Sequence, residues 1–275
     1  MGLPLQEARQ SDPPIFRAIR IVFVSSLDNY LMIVKAVLPL ILKLQLLLIP
    51  FVLLEQFLPA GNRPRPRDYL LNTLILVTTF VMSLPLGMLA GAGGAAARQH
   101  LGLHPLNLSF QGVGAVPYIG TGLKLIVVMA ATLVLHDLWF YWSHRLEHRL
   151  PILWEFHKLH HSEQRLNSST WARDHFLQAA WRSAFPAFTF GLVLRLDVAE
   201  AASLGVYASY ITSALSMFYH SGVRLHLPWL NPVLVTPQVH RIHHSVDPGH
   251  QNKNFADFLL VFDIIFWHVL QTSQG

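Results

Sequence analysis

Cysteine is missing from the 275-residue sequence, and charged residues are scarce, at 13% of the chain. Without cysteine the chain cannot form a disulfide bond, hold a metal through thiolates, ligate an iron–sulfur cluster or use a cysteine nucleophile. The charged fraction is about half that of a typical soluble domain, too little to cover the surface of a cytosolic globule. The same shortage argues against a disordered chain and against a nucleic-acid-binding protein. Any metal bound here must be held by nitrogen or oxygen atoms.

Long apolar runs take the place of charge, since hydrophobic residues make up 52% of the chain. Several runs approach the length of about 20 residues that spans a bilayer; they are residues 33–58, 69–90, 123–142, 176–196 and 198–219. The last two meet at Asp197 and predict a tight helical hairpin, whereas the glycine- and alanine-rich residues 91–97 predict a loop. The sequence therefore predicts an all-α fold, a polytopic transmembrane helix bundle of about four to five membrane segments, in a single domain over residues 1–275.

Positively charged residues predict which ends of these segments face the cytoplasm. The connection after the first run carries Arg63, Arg65 and Arg67, and residues 143–182 carry six further arginines and lysines. Both connections are therefore expected on the cytoplasmic face of the membrane. The arginines at positions 9, 17 and 20 would lie on the opposite side if residues 33–58 cross once, and a re-entrant hairpin there would remove this conflict.

The 16 histidines are concentrated in a few places. Three clusters read His144-Arg-Leu-Glu-His148, His157-Lys-Leu-His160-His161 and His240-Arg-Ile-His243-His244. Spacings of three and four residues place side chains on one face of a helix, a few ångströms apart. The predicted topology brings these clusters and His220 to one membrane face. A histidine-rich cap is therefore expected on the cytoplasmic side of an integral membrane protein.

So many converging imidazoles indicate a particular kind of metal centre. Neutral imidazole suits iron, copper and zinc. A single zinc ion takes three or four protein ligands, whereas two ions with about four or five nitrogen ligands each would use all the clustered histidines. Two iron ions can share the electrons needed to split O2, and the apolar setting indicates a hydrophobic substrate. The predicted chemistry is therefore oxygen activation at two iron ions, for which zinc could substitute.

Other histidines allow more than one interpretation. His136 and Asp137 lie inside an apolar segment, where ionisable residues tend to be functional, so metal ligation and support of a ligand both remain open. His175 and His226 could be ligands or ordinary hydrogen-bonded residues. The isolated histidines are interpreted as solvated or hydrogen-bonded; they are His100, His104, His250 and His268.

The clusters resemble the motifs of the fatty acid hydroxylase superfamily, membrane-bound diiron proteins that include sterol desaturases and lipid hydroxylases. The similarity covers about residues 123–267. It is carried by His136-Asp-Leu-Trp-Phe-Tyr-Trp-Ser-His144-Arg-Leu-Glu-His148, Leu153-Trp-Glu-Phe-His157-Lys-Leu-His160-His161-Ser162, Phe218-Tyr-His220-Ser and Pro237-Gln-Val-His240-Arg-Ile-His243-His244-Ser245. The ordered set of clusters makes the resemblance specific.

The resemblance implies a set of metal ligands, namely His144, His148, His157, His160, His161, His220, His240, His243 and His244. It implies that Asp137 orients a metal ligand without binding the metal itself, while His136 and His175 remain supporting residues or extra ligands. It also implies the use of O2 and of a lipid substrate held in the bilayer. Electrons would come from a cytochrome b5, a ferredoxin or a reductase that docks on the cytoplasmic face.

Two elements after the last cluster depart from the pattern of many bacterial relatives. Where those relatives have Asn-Tyr-Gly, this chain has Asn-Phe-Ala at residues 254–256. Where they have Trp-Asp-x-x-Phe-Gly-Thr, it has Phe-Asp-Ile-Ile-Phe-Trp-His at residues 262–268. The departure affects the expected shape of the C-terminal cap and leaves every clustered histidine in place.

The sequence therefore predicts a membrane-bound non-haem diiron oxygenase that hydroxylates or desaturates a lipid. One alternative is a membrane zinc metallohydrolase, because residues 144–148 match the H-x-x-E-H pattern with Glu147 as general base. That alternative leaves both H-x-x-H-H clusters without a role. The other is a non-catalytic membrane protein such as a transporter, although ionisable residues here gather at one interface rather than near the membrane midplane.

Overall fold

A computed structural model of the chain describes residues 28, 30–35, 37–108, 117–196, 198–225 and 227–270. The N-terminal arginines, Asp197 and His226 lie outside these described residues, and so do the predictions made for them. The chain divides into two compact units, Met1–Lys43 and Leu44–Gly275. In the first unit, residues 30–35 and 37–43 are helical. The prediction of a single domain over the whole chain stays a prediction.

The second unit consists mainly of helices. Its elements are a 3-10 turn at Gln45–Leu47, α1 (Leu48–Phe57), α2 (Pro66–His100), β1 (Leu106–Leu108), α3 (Pro117–Arg149), α4 (Pro151–His161), a 3-10 turn at Thr170–Ala172, α5 (Phe176–Val193), β2 (Leu194–Leu196), α6 (Val198–His220), α7 (Pro237–His243) and α8 (Val261–Ile265). The two short strands pair in parallel, with Leu106 opposite Leu194. Apart from this pair, the predicted all-α fold is confirmed.

Three helices in the described part of the chain are long and apolar enough to cross a membrane, namely Tyr30–Phe57, Pro66–His100 and Ile126–Arg149. Large apolar side chains such as Leu70, Leu74 and Leu89 are exposed on the second of them. An apolar face of this kind suits lipid rather than water, and the protein is an integral membrane protein. The fourth and fifth predicted segments form helices α5 and α6, and their crossing of the membrane stays a prediction.

The two short helices that carry the H-x-x-H-H clusters begin in the same way. Pro151 is the first residue of α4 and Pro237 is the first residue of α7. Proline suits the first helical position because its backbone nitrogen needs no partner there and its φ angle is already helical. The prolines thus fix where each helix starts, and so which face each following histidine occupies.

The glycine-rich residues 91–97 do not form the predicted loop, because α2 continues through them to His100. A Cβ atom on Gly94 would lie 2.0 Å from the carbonyl oxygen of Phe188, and one on Gly191 would lie 2.3 Å from the carbonyl oxygen of Gly91. Small residues allow membrane helices to approach this closely. The loop prediction was wrong because these glycines serve the packing of α2 against α5 rather than a turn.

A buried carboxylate connects α1 to the scaffold of the site. Glu55 accepts hydrogen bonds from the Ser168 amide at 2.6 Å, from the Gly222 amide at 2.9 Å and from the Tyr69 hydroxyl at 2.5 Å. A buried charge needs such partners, since leaving it unpaired costs several kcal/mol, on the order of 3–5. Glu55 therefore holds the loop after α4 and the backbone just after His220 in fixed positions.

Candidate metal centre

The nine clustered histidines lie together and form two adjacent groups. The five-histidine group consists of His144, His148, His157, His161 and His243, and the four-histidine group consists of His160, His220, His240 and His244. Within each group, one ring nitrogen from every histidine lies within 4.8 Å of the others. The structure therefore gathers every histidine predicted as a ligand, although the chain separates the first from the last by 100 residues.

Helices α4 and α7 each contribute to both groups. On α4, His157 and His161 are one turn apart and face the five-histidine group, while His160 faces the other. On α7 the pattern is reversed, because His243 belongs to the five-histidine group. Successive residues of a helix point about 100° apart, since a turn takes 3.6 residues, so neighbours such as His160 and His161 can face different groups. The two groups are in contact, with the ring centroids of His161 and His244 4.4 Å apart.

The nitrogen atoms of the five-histidine group crowd around one point. Nε2 of His157 lies 3.1 Å from Nε2 of His144, 3.1 Å from Nε2 of His148 and 3.0 Å from Nε2 of His161. A neutral imidazole has one N–H and one lone pair, so a single Nε2 cannot bond to three such neighbours. Nitrogens bound at about 2.1 Å to one ion at right angles lie about 3 Å apart. The spacing fits ligands of a common ion.

The four-histidine group has the same spacing. Nε2 of His220 lies 3.1 Å from Nε2 of His160 and 3.0 Å from Nε2 of His240, and Nε2 of His244 lies 3.0 Å from that of His240. His160 on α4, His240 on α7, His244 directly after α7 and His220 at the end of α6 therefore also fit ligands of one ion.

Main-chain carbonyls fix the orientation of three rings. The Nδ1 atoms of His144, His220 and His243 each lie 2.8 Å from a carbonyl oxygen, those of Phe255, Ser216 and Lys253 respectively. Donation of Nδ1–H to a carbonyl leaves the lone pair on Nε2, as a metal ligand requires. Nε2 of His243 is buried and has no hydrogen-bond partner among the described residues. The rings are thus prepared to hold a metal ion.

Burial keeps the imidazoles neutral. It lowers the pKa of His160 and His240 well below the ordinary value of 6.5, and it lowers the pKa of His243 to about 4. The charged form is disfavoured because the rings have lost water and lie beside one another. Neutral imidazole is the form that binds metals, so the site favours a metal ion over protons at neutral pH.

A buried charged group that sequence reasoning missed lies behind the histidines. Arg182 on α5 binds both oxygens of Glu147, through Nε at 2.9 Å and Nη2 at 2.5 Å. The Nη1 atom of Arg182 is 3.8 Å from Oδ2 of Asp174. In the sequence, Arg182 counted only as one of the positive charges that predict a cytoplasmic position for residues 143–182. Arg182 also lies inside the apolar run 176–196, and an arginine in such a run needs a partner. This feature could have identified it.

A family comparison agrees with this geometry. The family model described as Fatty acid hydroxylase matches residues 129–267, half of the chain and every histidine of the two groups. The chain belongs to the fatty acid hydroxylase family. A comparison with solved protein structures finds no match.

Several curated relatives of this fatty acid hydroxylase family member are lipid-modifying enzymes by name. The alkylglycerol monooxygenases of Danio rerio and Homo sapiens are each 33% identical to it over 132 residues, which is 47% of this chain and 28% of theirs. The ornithine lipid hydroxylase OlsE of Rhizobium tropici is 29% identical over 134 residues, 48% of this chain and 38% of the relative. The matches therefore span about a third of the length of these relatives.

The remaining candidates from the sequence lie outside both histidine groups. Asp137 accepts hydrogen bonds from the amides of Asp257 at 2.9 Å, Phe258 at 3.3 Å and Leu259 at 2.6 Å. Nε2 of His136 lies 3.1 Å from Oδ2 of Asp257. Asp137 therefore fixes the main chain just after Phe255. Because the carbonyl of Phe255 orients His144, Asp137 supports the candidate metal centre without belonging to it.

His175 is the third of these candidates. Its Nδ1 atom accepts a hydrogen bond from the Leu177 amide at 3.2 Å, at the start of α5. Its ring stacks between those of Phe156 and Phe176, with centroid distances of 5.1 and 4.7 Å. The described contacts therefore connect α4 to α5 through His175 and do not place it in the candidate metal centre.

The segment that orients His144 and His243 is held by two side chains near the C-terminus. Asn254 has a φ of 56° and bonds to the main chain of Val239 and Leu270 at 2.8–3.0 Å. The Asp263 carboxylate accepts hydrogen bonds from the amides of Phe255 and Ala256, each at 2.8 Å. Asn254 and Asp263 are residues that these two elements share with the pattern of many bacterial relatives, and both hold the segment that orients His144 and His243.

Replacement of Asp263 with asparagine should make stability less dependent on pH. Burial raises the pKa of the Asp263 carboxyl from 3.8 to about 6, so between these values the folded state holds a proton that the unfolded chain has released. Acidification from pH 6 to pH 4 should therefore stabilise wild type relative to Asp263→Asn, by about 3 kcal/mol at most. Thermal unfolding of both proteins, metal-free and in detergent, at pH 7.5 and 4.5 measures the difference. If the stability of wild type relative to Asp263→Asn is the same or lower at pH 4.5 than at pH 7.5, this assignment is contradicted.

An open cleft of about 1090 Å³ reaches the histidines. Its lining includes His161 and His244, one from each group, together with Arg165 and Arg241. The centre is therefore buried among helices and still reachable from outside the protein.

Proposed function

We propose that the protein is a membrane-bound non-haem diiron oxygenase that hydroxylates or desaturates a lipid, using O2 and external electrons. The observation that carries the proposal is the convergence of nine neutral imidazoles into two touching groups, in a chain with three helices apolar and long enough to cross a membrane. Membership of the fatty acid hydroxylase family supports it. The names of the relatives, alkylglycerol monooxygenase and ornithine lipid hydroxylase, support a lipid as the substrate.

The two histidine groups are the proposed ligands of two iron ions, which would supply the electrons and the binding position for O2 activation. The protein's own contribution is to bring nine rings together and to fix the orientation of three of them, through the carbonyls that contact His144, His220 and His243. Burial also keeps the imidazoles neutral, which is the form that binds metals. Zinc could replace iron during expression, because imidazole binds both.

The substrate is proposed to reach the centre from the bilayer. The apolar exposed faces of the long helices are compatible with lipid on several sides of the site. Positive charge on the connections suggests that the histidine end faces the cytoplasm. The electron donor, a cytochrome b5, a ferredoxin or a reductase, would then dock on that face, where the cleft beside His161 and His244 opens.

The geometry around Glu147 does not favour the zinc metallohydrolase. A general base must reach the water that it deprotonates, whereas both oxygens of Glu147 are bonded to Arg182. Glu147 also lies on the Nδ1 side of His157, at 3.4 Å, on the far side of the ring from the converging Nε2 atoms. Its contacts are those of a residue that supports a ligand.

Expression of the chain should add a new species to the host lipids, one oxygen heavier or two hydrogens lighter than its parent. Lipid mass spectrometry of membranes from cells with and without the chain measures this change, and the mass difference identifies the reaction. Glu147→Gln should still form the product when iron is supplied in excess, because the residue touches no reacting atom. Lipid cleavage by wild type, with none by Glu147→Gln, would contradict the oxygenase and favour the hydrolase.

A further inference from the structure

A single arginine lies between two carboxylates behind the histidine groups. Arg182 holds Glu147 through two bonds, and its third nitrogen lies 3.8 Å from Asp174. A planar guanidinium that grips a carboxylate with two parallel bonds fixes the direction of that carboxylate as well as its charge. Gln178 fixes the other carboxylate, because its side-chain amide donates to Oδ1 of Asp174 at 2.8 Å.

The two carboxylates approach histidines of different groups. Oε2 of Glu147 lies 3.4 Å from Nδ1 of His157, in the five-histidine group, and Oδ1 of Asp174 lies 3.7 Å from Nδ1 of His160, in the four-histidine group. Both Nδ1 atoms are buried, and neither has a hydrogen-bond partner among the described residues. Each carboxylate is thus close to the N–H that its ring presents when Nε2 binds a metal, and can accept it after a small movement.

The burial of these groups makes their electrostatic interaction strong. The side chains of Glu147, Arg182 and Asp174 are 1%, 15% and 21% exposed, so water screens them little. One positive and two negative charges leave a net negative charge beside a site proposed to hold cations. The Phe140 ring covers the guanidinium at 4.4 Å, which limits its movement.

We infer that Arg182 is a positioning residue that couples the two metal positions. This inference rests on the proposed function, since it requires that both histidine groups bind ions. Arg182 aims Glu147 at His157 and holds a positive charge beside Asp174, which faces His160. A carboxylate that accepts the outer N–H of a ligand imidazole strengthens the bond from the inner nitrogen to the metal. One guanidinium therefore controls one ligand of each ion.

The coupling gives a different result for each of three substitutions. Glu147→Gln should weaken only the ion in the five-histidine group, and Asp174→Asn only the ion in the four-histidine group. Arg182→Gln should weaken both, because Glu147 loses the group that orients it and Asp174 loses the positive charge beside it. Loss of such an outer partner lowers metal affinity by about 10- to 100-fold.

Titration of metal-free protein with Co²⁺ alone, in detergent, tests this without any substrate or electron donor. The visible absorption of Co²⁺ is stronger with four ligands than with five, so the spectrum separates the two positions, and metal analysis counts the ions. Wild type should bind two Co²⁺ per chain. The matched control is Arg98→Gln, since Arg98 is half-buried, donates to the Gly191 carbonyl at 2.7 Å and belongs neither to the histidine groups nor to the cleft beside them, so both ions should bind as in wild type.

Arg182→Gln that binds both ions as wild type does, or that weakens only one, overturns the coupling. Binding of fewer than two Co²⁺ by wild type would instead contradict the metal centre itself, so the two failures are distinguishable. If Arg182→Gln does not fold, Arg182→Lys replaces it, because lysine keeps the charge and loses the two-bond grip. Weaker binding of both ions by Arg182→Lys supports the coupling, and unchanged binding or loss of a single ion overturns it.

Discussion

A variant in which His160 and His161 are both alanine should form no oxidised lipid and should retain neither metal ion. The substitution removes one ligand from each group, since His160 contacts His220 at 3.1 Å and His161 contacts His157 at 3.0 Å between Nε2 atoms. Loss of an outer partner already costs about 10- to 100-fold in metal affinity, so loss of two direct ligands should cost at least about 100-fold. Metal analysis of the purified protein and lipid mass spectrometry of the host measure the two effects.

His104→Ala is the control for this variant, because His104 is exposed and belongs to neither group. It should bind metal and form product as wild type does. The single variants refine the result: His160→Ala should lose the ion of the four-histidine group, and His161→Ala that of the five-histidine group. A double variant that keeps two ions per chain and forms product would contradict the assignment of these residues as ligands.

Replacement of Gly94 with alanine should prevent α2 and α5 from packing and strongly destabilise the protein. The added methyl group would lie 2.0 Å from the main-chain oxygen of Phe188, and no side-chain rotation can relieve a contact with backbone. Overpacking ordinarily costs about 1–3 kcal/mol, and separation of two backbones should cost about 3 kcal/mol or more. Thermal unfolding in detergent and the yield of monodisperse protein measure the effect.

Gly93→Ala on the same helix separates this clash from the intrinsic effect of the substitution. A Cβ atom at position 93 meets only the Phe188 ring, at 3.9 Å, an ordinary contact. Alanine in a helix interior is favoured over glycine by about 0.5–1 kcal/mol, so Gly93→Ala should be neutral or slightly stabilising. Equal stability of the two variants would show that the helices do not cross as closely as described.

The same pair of glycines shows where sequence reasoning was misled. Glycine and alanine in a row are typical of a loop in a soluble protein, and residues 91–97 were interpreted in that way. In α2 they lie in an apolar helix, where the absence of a side chain allows a neighbouring backbone to approach. The choice between the two roles depends on the partner helix α5, which is distant in the chain. Arg98 of α2 and Gly191 of α5, which are hydrogen-bonded, are 93 residues apart. The local sequence therefore does not encode this choice.

The sequence by itself determined which histidines would lie together and which helices would carry them. Spacings of three and four are a local property, so the clusters at residues 144–148, 157–161 and 240–244 predict imidazoles on shared faces before any folding is known. Long apolar runs are local in the same sense, and they predict the membrane helices.

The tertiary structure decided how the nine histidines divide between two groups and which other side chains support them. The division depends on how α3, α4, α6 and α7 pack around the site. Arg182, Glu147 and Asp174 come together across 35 residues of chain, and Asp263 reaches the segment that orients His144 from the C-terminal side. Such contacts arise because buried charges and rings need partners, and which partner is available depends on packing between distant segments.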